Sequence, residues 1–195
     1  MPIFDKNGFE IEHHNNFPLD LEVINIEFGA GRNNFGKREY PKCYLTDLSL
    51  PNLQLHFKNY IEYENEDCHF LDNVCNFLEY SFQRKFDNLI FCNPFSYGYF
   101  GLGNAKFFFD KAGDILKENG RIHIIGKSNN KWCKKEALDR FLKNEIPDLK
   151  SVHNFELEKF EELDNNHPII TNYQFYDSGL EIITIPNEKL TIKKL

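Results

Sequence analysis

The chain of 195 residues is long enough for one domain with a buried core and short for two. Hydrophobic residues make up 41% of it, which favours a globular protein over a disordered one. The formal net charge of -7 disfavours duplex nucleic acid as a general ligand, because a polyanion is repelled unless a basic patch offsets that charge.

The N-terminal residues lack the basic start and apolar run of a signal peptide, and no stretch approaches the roughly 18 apolar residues of a membrane span. We therefore expect a cytoplasmic protein that makes no membrane contact, with residues 1–195 as one domain and residues 1–20 as an N-terminal extension. The cysteines have no C-x-x-C spacing and the histidines no ligand spacing, so no metal site is predicted. Cys43 and Cys92 lie in apolar runs, which favours buried reduced thiols.

Five apolar runs in chain order are typical of strands: residues 22–28, 43–46, 68–71, 89–92 and 121–126. Helical spacing predicts three helices, at residues 73–82, 104–120 and 135–146. The apolar face of the second comprises Phe107, Phe108, Ala112, Ile115 and Leu116.

The C-terminal part of the sequence predicts a strand at residues 152–160 and then a hairpin, with strands at residues 173–176 and 180–185. Strands that alternate with helices imply a parallel sheet, and a terminal hairpin implies an antiparallel edge. The predicted fold class is therefore α/β.

A glycine-containing segment, Gly29-Ala30-Gly31, follows the first predicted strand, at the edge where open α/β sheets bind ligands. A dinucleotide motif would need a third glycine where Asn34 stands, and a P-loop would need Ser or Thr where Arg38 stands. Both phosphate-binding motifs are thus incomplete.

An acidic residue precedes these glycines and another ends the second predicted strand. Glu27 disfavours a phosphate and suits a ligand that carries positive charge. Asp47 can accept hydrogen bonds from both hydroxyls of a ribose. This pattern, Glu27-x-Gly29-x-Gly31 with Asp47 after it, resembles the first two motifs of the class I S-adenosylmethionine-dependent methyltransferases. In that family an acid after strand three neighbours the adenine, and Asp72 matches it.

The fourth motif of the family closes strand four and matches FDNLIFCNPF, which ends on Asn93, Pro94 and Phe95. The resemblance implies that the Asn93 side-chain carbonyl and the Pro94 backbone carbonyl accept hydrogen bonds from an acceptor N–H. It also implies that Phe95 stacks on a planar acceptor or approaches the sulfonium. The resemblance covers about residues 20–186, with S-adenosylmethionine as the cofactor. It implies a Rossmann-like three-layer sandwich around a mostly parallel seven-stranded sheet, with the last strand inserted antiparallel.

The sequence departs from the family pattern around the glycine loop. Asn33 stands where a third small residue is usual, and Gly36 and Pro41 predict that the helix after the loop is short or broken. The fourth motif reads NPF, where members that methylate amines often have two prolines and an aromatic residue.

Three functions are compatible with these features. The leading hypothesis is a methyltransferase with S-adenosylmethionine as cofactor, whose acceptor is a small molecule, a protein or a local RNA contact, with a planar amine preferred. The alternative is a methyltransferase-like scaffold without catalysis that binds a basic protein, as an antitoxin or immunity protein would. Nucleotide binding without methyl transfer is a third. Plain turns at Asp47 and at Asn93-Pro94, and a helix-dipole role for Asp72, also stay open.

Overall fold

The computed structural model describes residues 3–4, 10–11, 23–30, 34–47, 68–70, 82, 84–92, 102–127, 135–143, 151–175 and 185–195. Their strands, in chain order, are β1 (Ile3–Phe4), β2 (Glu10–Ile11), β3 (Asn25–Phe28), β4 (Cys43–Asp47), β5 (Cys68–Phe70), β6 (Phe86–Cys92), β7 (Leu116–Gly126), β8 (Phe155–Glu162) and β9 (Glu188–Lys194). The helices are α1 (Phe35–Glu39), α2 (Leu102–Ile115), α3 (Lys135–Leu142) and α4 (Pro168–Asn172). The helix predicted at residues 73–82 lies outside this set except for Phe82.

Seven of the strands form one sheet in the order β5-β4-β3-β6-β7-β9-β8. The strands from β5 to β7 run parallel, whereas β9 is antiparallel to both β7 and β8. The two short strands β1 and β2 pair antiparallel in a separate sheet that the sequence analysis did not predict. The predicted fold class, a mostly parallel seven-stranded sheet with the last strand inserted antiparallel, is confirmed.

Helices pack on both faces of the sheet and make three layers. On one face, buried residues of α2 and α3 join the core formed by alternate residues of β3, β6, β7 and β9. On the other face, Phe35 of α1 and Ile169 of α4 pack with Ile90, Cys92 and Ile125. Because these strands are covered on both sides, their sequences read as continuous apolar runs, which explains why they could be recognised. No helix in the described part of the chain has the length and apolar character to cross a membrane.

The long helix α2 is amphipathic, but its buried face differs from the predicted one. Phe107 is 67% exposed, while Phe109 is fully buried and stacks on Phe141 of α3. Spacing of three and four residues from Ala105 reaches residues 108, 109 and 112, and it leaves residue 107 on the outside. The helix also ends at Ile115 rather than Gly120, because Leu116 is already paired with Phe86 in the sheet.

The C-terminal end of α2 is closed by a buried lysine from the last strand. Lys194 is only 4% exposed, and its Nζ donates to the carbonyl oxygens of Gly113 at 3.0 Å and Leu116 at 3.3 Å. It also lies 2.8 Å from the Glu118 carboxylate, and this contact lowers the pKa of Glu118. A cation at a helix C-terminus satisfies carbonyls that have no partner inside the helix and complements the helix dipole.

Lys194→Met is expected to lower the free energy of unfolding by about 2 kcal/mol, because it removes charge-assisted hydrogen bonds from a buried position. Chemical denaturation measures this loss. Lys193→Met is the matched control, since the neighbouring residue of a strand points to the opposite face of the sheet. Equal stability losses in the two variants would contradict the role given to Lys194.

The first strand of the predicted C-terminal hairpin is wrong. Residues 173–175 are not a strand; Tyr173 and Phe175 instead pack their rings against Phe35 of α1. The antiparallel pair is formed by β8 and β9, and residues 180–184 lie outside the described part of the chain. The strand β9 was not predicted, because Leu190 and Ile192 alternate there with lysine and threonine. The predicted strand at residues 152–160 corresponds to β8.

Candidate functional site

The candidate residues follow four neighbouring strands of the sheet. Asp47 is the last residue of β4, and Gly29 follows β3 directly. In sequence, Asp72 comes after β5 and Asn93 after β6. Since β5, β4, β3 and β6 are consecutive and parallel, their carboxyl ends meet at one edge. After β3 the chain continues to β4 on one side, and after β6 it continues to β7 on the other side. Open α/β sheets bind ligands at such a reversal of strand order.

Five of the eight predicted site residues lie outside the described part of the chain: Gly31, Asp72, Asn93, Pro94 and Phe95. Their roles remain predictions. For Asp47 the backbone places the residue at the end of β4, opposite Phe70 of β5. Glu27 and Gly29 are described with their side-chain and backbone contacts.

The backbone at the end of β3 has the conformation that the glycine segment predicted. Gly29 has a φ of +63°, and no atom of the described residues lies within 4 Å of the place where a Cβ would stand. The next residue is fixed to the neighbouring strand, since the Ala30 N–H donates to the Thr46 carbonyl oxygen at 2.9 Å. The Thr46 hydroxyl in turn donates to the Glu27 carbonyl oxygen at 2.7 Å. The start of the loop is therefore held against β4.

Glu27 is fully buried between β3 and α1. Its Oε2 accepts a hydrogen bond from the Gly36 N–H at 2.6 Å. Cys43 and Cys92 lie beside it as free thiols, which confirms the prediction of buried reduced cysteines. Burial and the Glu27 carboxylate raise the pKa of both thiols, so neither is a reactive thiolate.

A chain of polar side chains crosses the same face of the sheet near the opposite strand ends. The Asn25 Nδ2 donates to the Pro41 carbonyl oxygen at 2.6 Å, and the Asn88 Nδ2 donates to the Asn25 Oδ1 at 2.7 Å. His123 follows, with its Nε2 3.0 Å from the Asn88 Oδ1 and its Nδ1 3.3 Å from the Thr191 Oγ1. Since an amide oxygen can only accept, the Nε2 carries the proton and the Nδ1 accepts from the threonine hydroxyl.

These four hydrogen-bonded side chains, here called the polar row (Asn25, Asn88, His123 and Thr191), include a neutral histidine. Burial lowers the pKa of His123 to about 3. The Tyr40 ring lies 5.0 Å from the imidazole, and burial raises the pKa of Tyr40 as well. The sequence analysis did not identify this row, although polar residues inside otherwise apolar strands were a signal for it.

An aromatic and charged cover lies over α1. Arg38 stacks on the Tyr173 ring with 4.6 Å between the guanidinium carbon and the ring centroid, and the Tyr173 hydroxyl donates to Glu39. Phe35 packs beneath Tyr173. The segment after β8 thus fixes the short helix that follows the glycine loop. Within the described residues no group of three or more His, Cys, Asp or Glu side chains could hold a metal ion.

No protein-family profile matches the sequence, and no curated protein is recognisably similar to it. Solved structures do match. The 30S ribosomal A1408 methyltransferase from an uncultured bacterium is 15% identical, with a TM-score of 0.56 over 100% of both chains. An S-adenosylmethionine-dependent methyltransferase from Clostridium acetobutylicum is 12% identical, with a TM-score of 0.50 over 89% of this chain and 85% of that one. With its strand order and its inserted antiparallel strand, the chain has the class I S-adenosylmethionine-dependent methyltransferase fold.

Proposed function

We propose that the chain is a methyltransferase that uses S-adenosylmethionine, bound beyond the carboxyl ends of β3 and β4. One observation carries the proposal: Gly29, with its positive φ, lies at the strand reversal beside the end of β4, and no described residue fills the place of its missing Cβ. A ligand can approach the backbone closely there. The similarity of the fold to structures named as methyltransferases supports the same function.

Two positions of the described backbone support this cofactor by their place in the sheet. The site offers a tight glycine turn for close approach of the backbone and the carboxylate residue Asp47 for the ribose hydroxyls. In the proposed site Glu27, Gly29 and Gly31 form the loop beneath the cofactor, and Asp72 lies near the adenine.

The cofactor supplies an activated methyl group, so the protein has mainly to align the nucleophile with it. In our proposal Asn93 and the Pro94 carbonyl accept hydrogen bonds from the acceptor, and Phe95 packs on its plane. A planar amine is the acceptor group that these residues suit. One of the similar structures is named as a 30S ribosomal A1408 methyltransferase, which keeps a local RNA contact among the acceptors beside small molecules and proteins. The net charge of -7 still argues against general binding of duplex nucleic acid.

Asp47→Ala is expected to weaken binding of S-adenosylhomocysteine by roughly ten- to a hundred-fold, because a hydrogen bond to a charged group contributes about 1.5–3 kcal/mol. Isothermal titration calorimetry measures the dissociation constant. Asp87→Ala is the matched control, since this carboxylate lies at the start of β6 and pairs with Lys117.

The same titration tests the proposed function itself. Heat of binding from the wild type, reduced in Asp47→Ala and retained in Asp87→Ala, is the expected pattern. No heat from the wild type at millimolar ligand would refute the cofactor proposal and favour a scaffold without catalysis.

A further inference from the structure

We infer that Glu27 is a positioning residue: it shapes the cofactor loop by holding the entry of α1 through Gly36, and it acts without touching the cofactor. The inference rests on the proposed function, because the loop between Glu27 and Gly36 is the proposed cofactor loop. The family pattern has a small residue at position 33, where this chain has Asn33. In this chain we assign the required small residue to position 36 instead.

The first observation is that α1 has no cap of its own. Its N-cap residue, Asn34, makes no side-chain capping hydrogen bond, and its first turn contains no acidic residue. The N–H groups of a first helical turn have no partner inside the helix. One of them, that of Gly36, is bonded at 2.6 Å by the Glu27 carboxylate from β3.

The second observation is that the carboxylate is sealed from solvent. Glu27 is 0% exposed, with Gly36, Cys43 and Cys92 as neighbours. A ligand beyond the strand ends therefore does not contact this side chain. The positive charge of a bound sulfonium would be felt by Glu27 only across the intervening backbone.

The third observation is the fit at Gly36. A Cβ on this residue would stand 2.6 Å from the Glu27 Oε2 and 3.0 Å from the Cys43 Sγ. Contacts under 3.0 Å force a displacement, and here the neighbours are a buried carboxylate and a buried thiol. Glycine is thus the residue that lets α1 come close enough for the hydrogen bond to form. The bond joins the end of β3 to the start of α1.

This arrangement predicts that hydrogen-bonding capacity at position 27 matters and that its charge does not. Glutamine keeps an acceptor oxygen at nearly the same place and size, so Glu27→Gln should retain the bond to Gly36. Glu27→Ala removes the acceptor, and Gly36→Ala pushes the helix away from it. Direct electrostatic contact with the cofactor would instead make Glu27→Gln nearly as harmful as Glu27→Ala.

The experiment compares these three variants in two measurements. Amide hydrogen exchange without ligand shows whether the Gly36 N–H is hydrogen-bonded. Titration with S-adenosylhomocysteine gives the dissociation constant, which depends on the conformation of the loop. We expect a protected Gly36 amide in the wild type and in Glu27→Gln, and loss of that protection in Glu27→Ala. The dissociation constant should change within about three-fold in Glu27→Gln and should rise at least about ten-fold in Glu27→Ala and Gly36→Ala.

Gly113→Ala is the matched control for steric crowding. A Cβ on Gly113, in α2, would stand 2.1 Å from the His153 ring, far along the chain from the loop. This variant should lower the melting temperature and leave the dissociation constant unchanged. That result separates an effect on the loop from a general loss of stability.

Glu27→Gln with a protected Gly36 amide and binding as weak as in Glu27→Ala would overturn the inference and indicate direct charge contact. An unprotected Gly36 amide in the folded wild type would overturn it as well. If the amide pattern is as expected but the wild type binds no S-adenosylhomocysteine, the proposed function fails and the hold of Glu27 on α1 stands.

Discussion

Asn93→Ala is expected to slow methyl transfer about a hundred-fold and to change the dissociation constant of S-adenosylhomocysteine by only a few-fold. In sequence, Asn93 directly follows Cys92, the last residue of β6, and β6 is the neighbour of β3 at the strand reversal. We propose that its side chain faces the acceptor, so its loss removes alignment in the transition state and little cofactor affinity. Single-turnover kinetics on an identified acceptor, with calorimetry in parallel, measure both quantities.

Asn88→Ala is the matched control for that experiment. It removes an asparagine from the same strand, but from the polar row near the other end of β6. It should lower stability and leave turnover per folded molecule unchanged. An Asn93→Ala variant that keeps the wild-type rate, or that loses cofactor binding as strongly as turnover, would contradict the alignment role.

His123 is expected to make the protein less stable as the pH falls below about 6.5. Unfolded chains bind a proton on histidine near pH 6.5, whereas the buried ring has its pKa lowered to about 3. Between these two pH values the unfolded state binds one more proton than the folded state. The free energy of unfolding therefore falls by about 1.4 kcal/mol for each unit by which the pH is lowered. The loss from pH 6.5 to pH 4 amounts to about 3 kcal/mol. Burial is the main cause, Lys189 and Arg121 add to it, and Glu158 opposes it.

Urea denaturation at a series of pH values tests this expectation in the wild type and in His123→Gln. In the variant, the slope of the free energy of unfolding against pH should be smaller by the equivalent of about one proton, because glutamine does not titrate. Thr191→Val is the matched control: it breaks the hydrogen bond to the Nδ1 but keeps the ring, so its slope should stay that of the wild type. A slope in His123→Gln equal to that of the wild type between pH 4.5 and 6.5 would contradict a buried neutral histidine.

The central strands could be predicted because burial on both faces makes them largely apolar. Residues 43–46 and 89–92 were located from that signal alone, and they form parts of β4 and β6. The same signal fails at β9, which lies between β7 and the edge strand β8. In β9, the side chains of Lys189 and Lys194 are mostly buried, because a lysine can bury its aliphatic part and pair its charged end. In the sequence, however, charged residues indicate exposure, so the strand was not recognised.

The candidate site was predictable where it depends on local sequence and not where it depends on distant contacts. Gly29 and the end of β4 at Asp47 follow from short motifs at strand ends. The bond between Glu27 and Gly36 joins a strand to a helix across the loop, and the polar row joins residues up to 68 positions apart. No periodicity in the sequence reports such contacts, so Gly36 was interpreted only as a residue that weakens a helix.

The insertion of β9 between β7 and β8 has a consequence for biosynthesis. Of the seven strands of the sheet, β9 leaves the ribosome last, yet it pairs with both of its neighbours along nearly the whole of its own length. Until then the inner edge of β8 and the outer edge of β7 expose unpaired backbone groups, which are sites of intermolecular pairing. The nascent chain can assemble β3 to β7 during translation, but the sheet is completed only after residue 194 has emerged. Premature termination before β9 should therefore yield a chain that aggregates or binds chaperones.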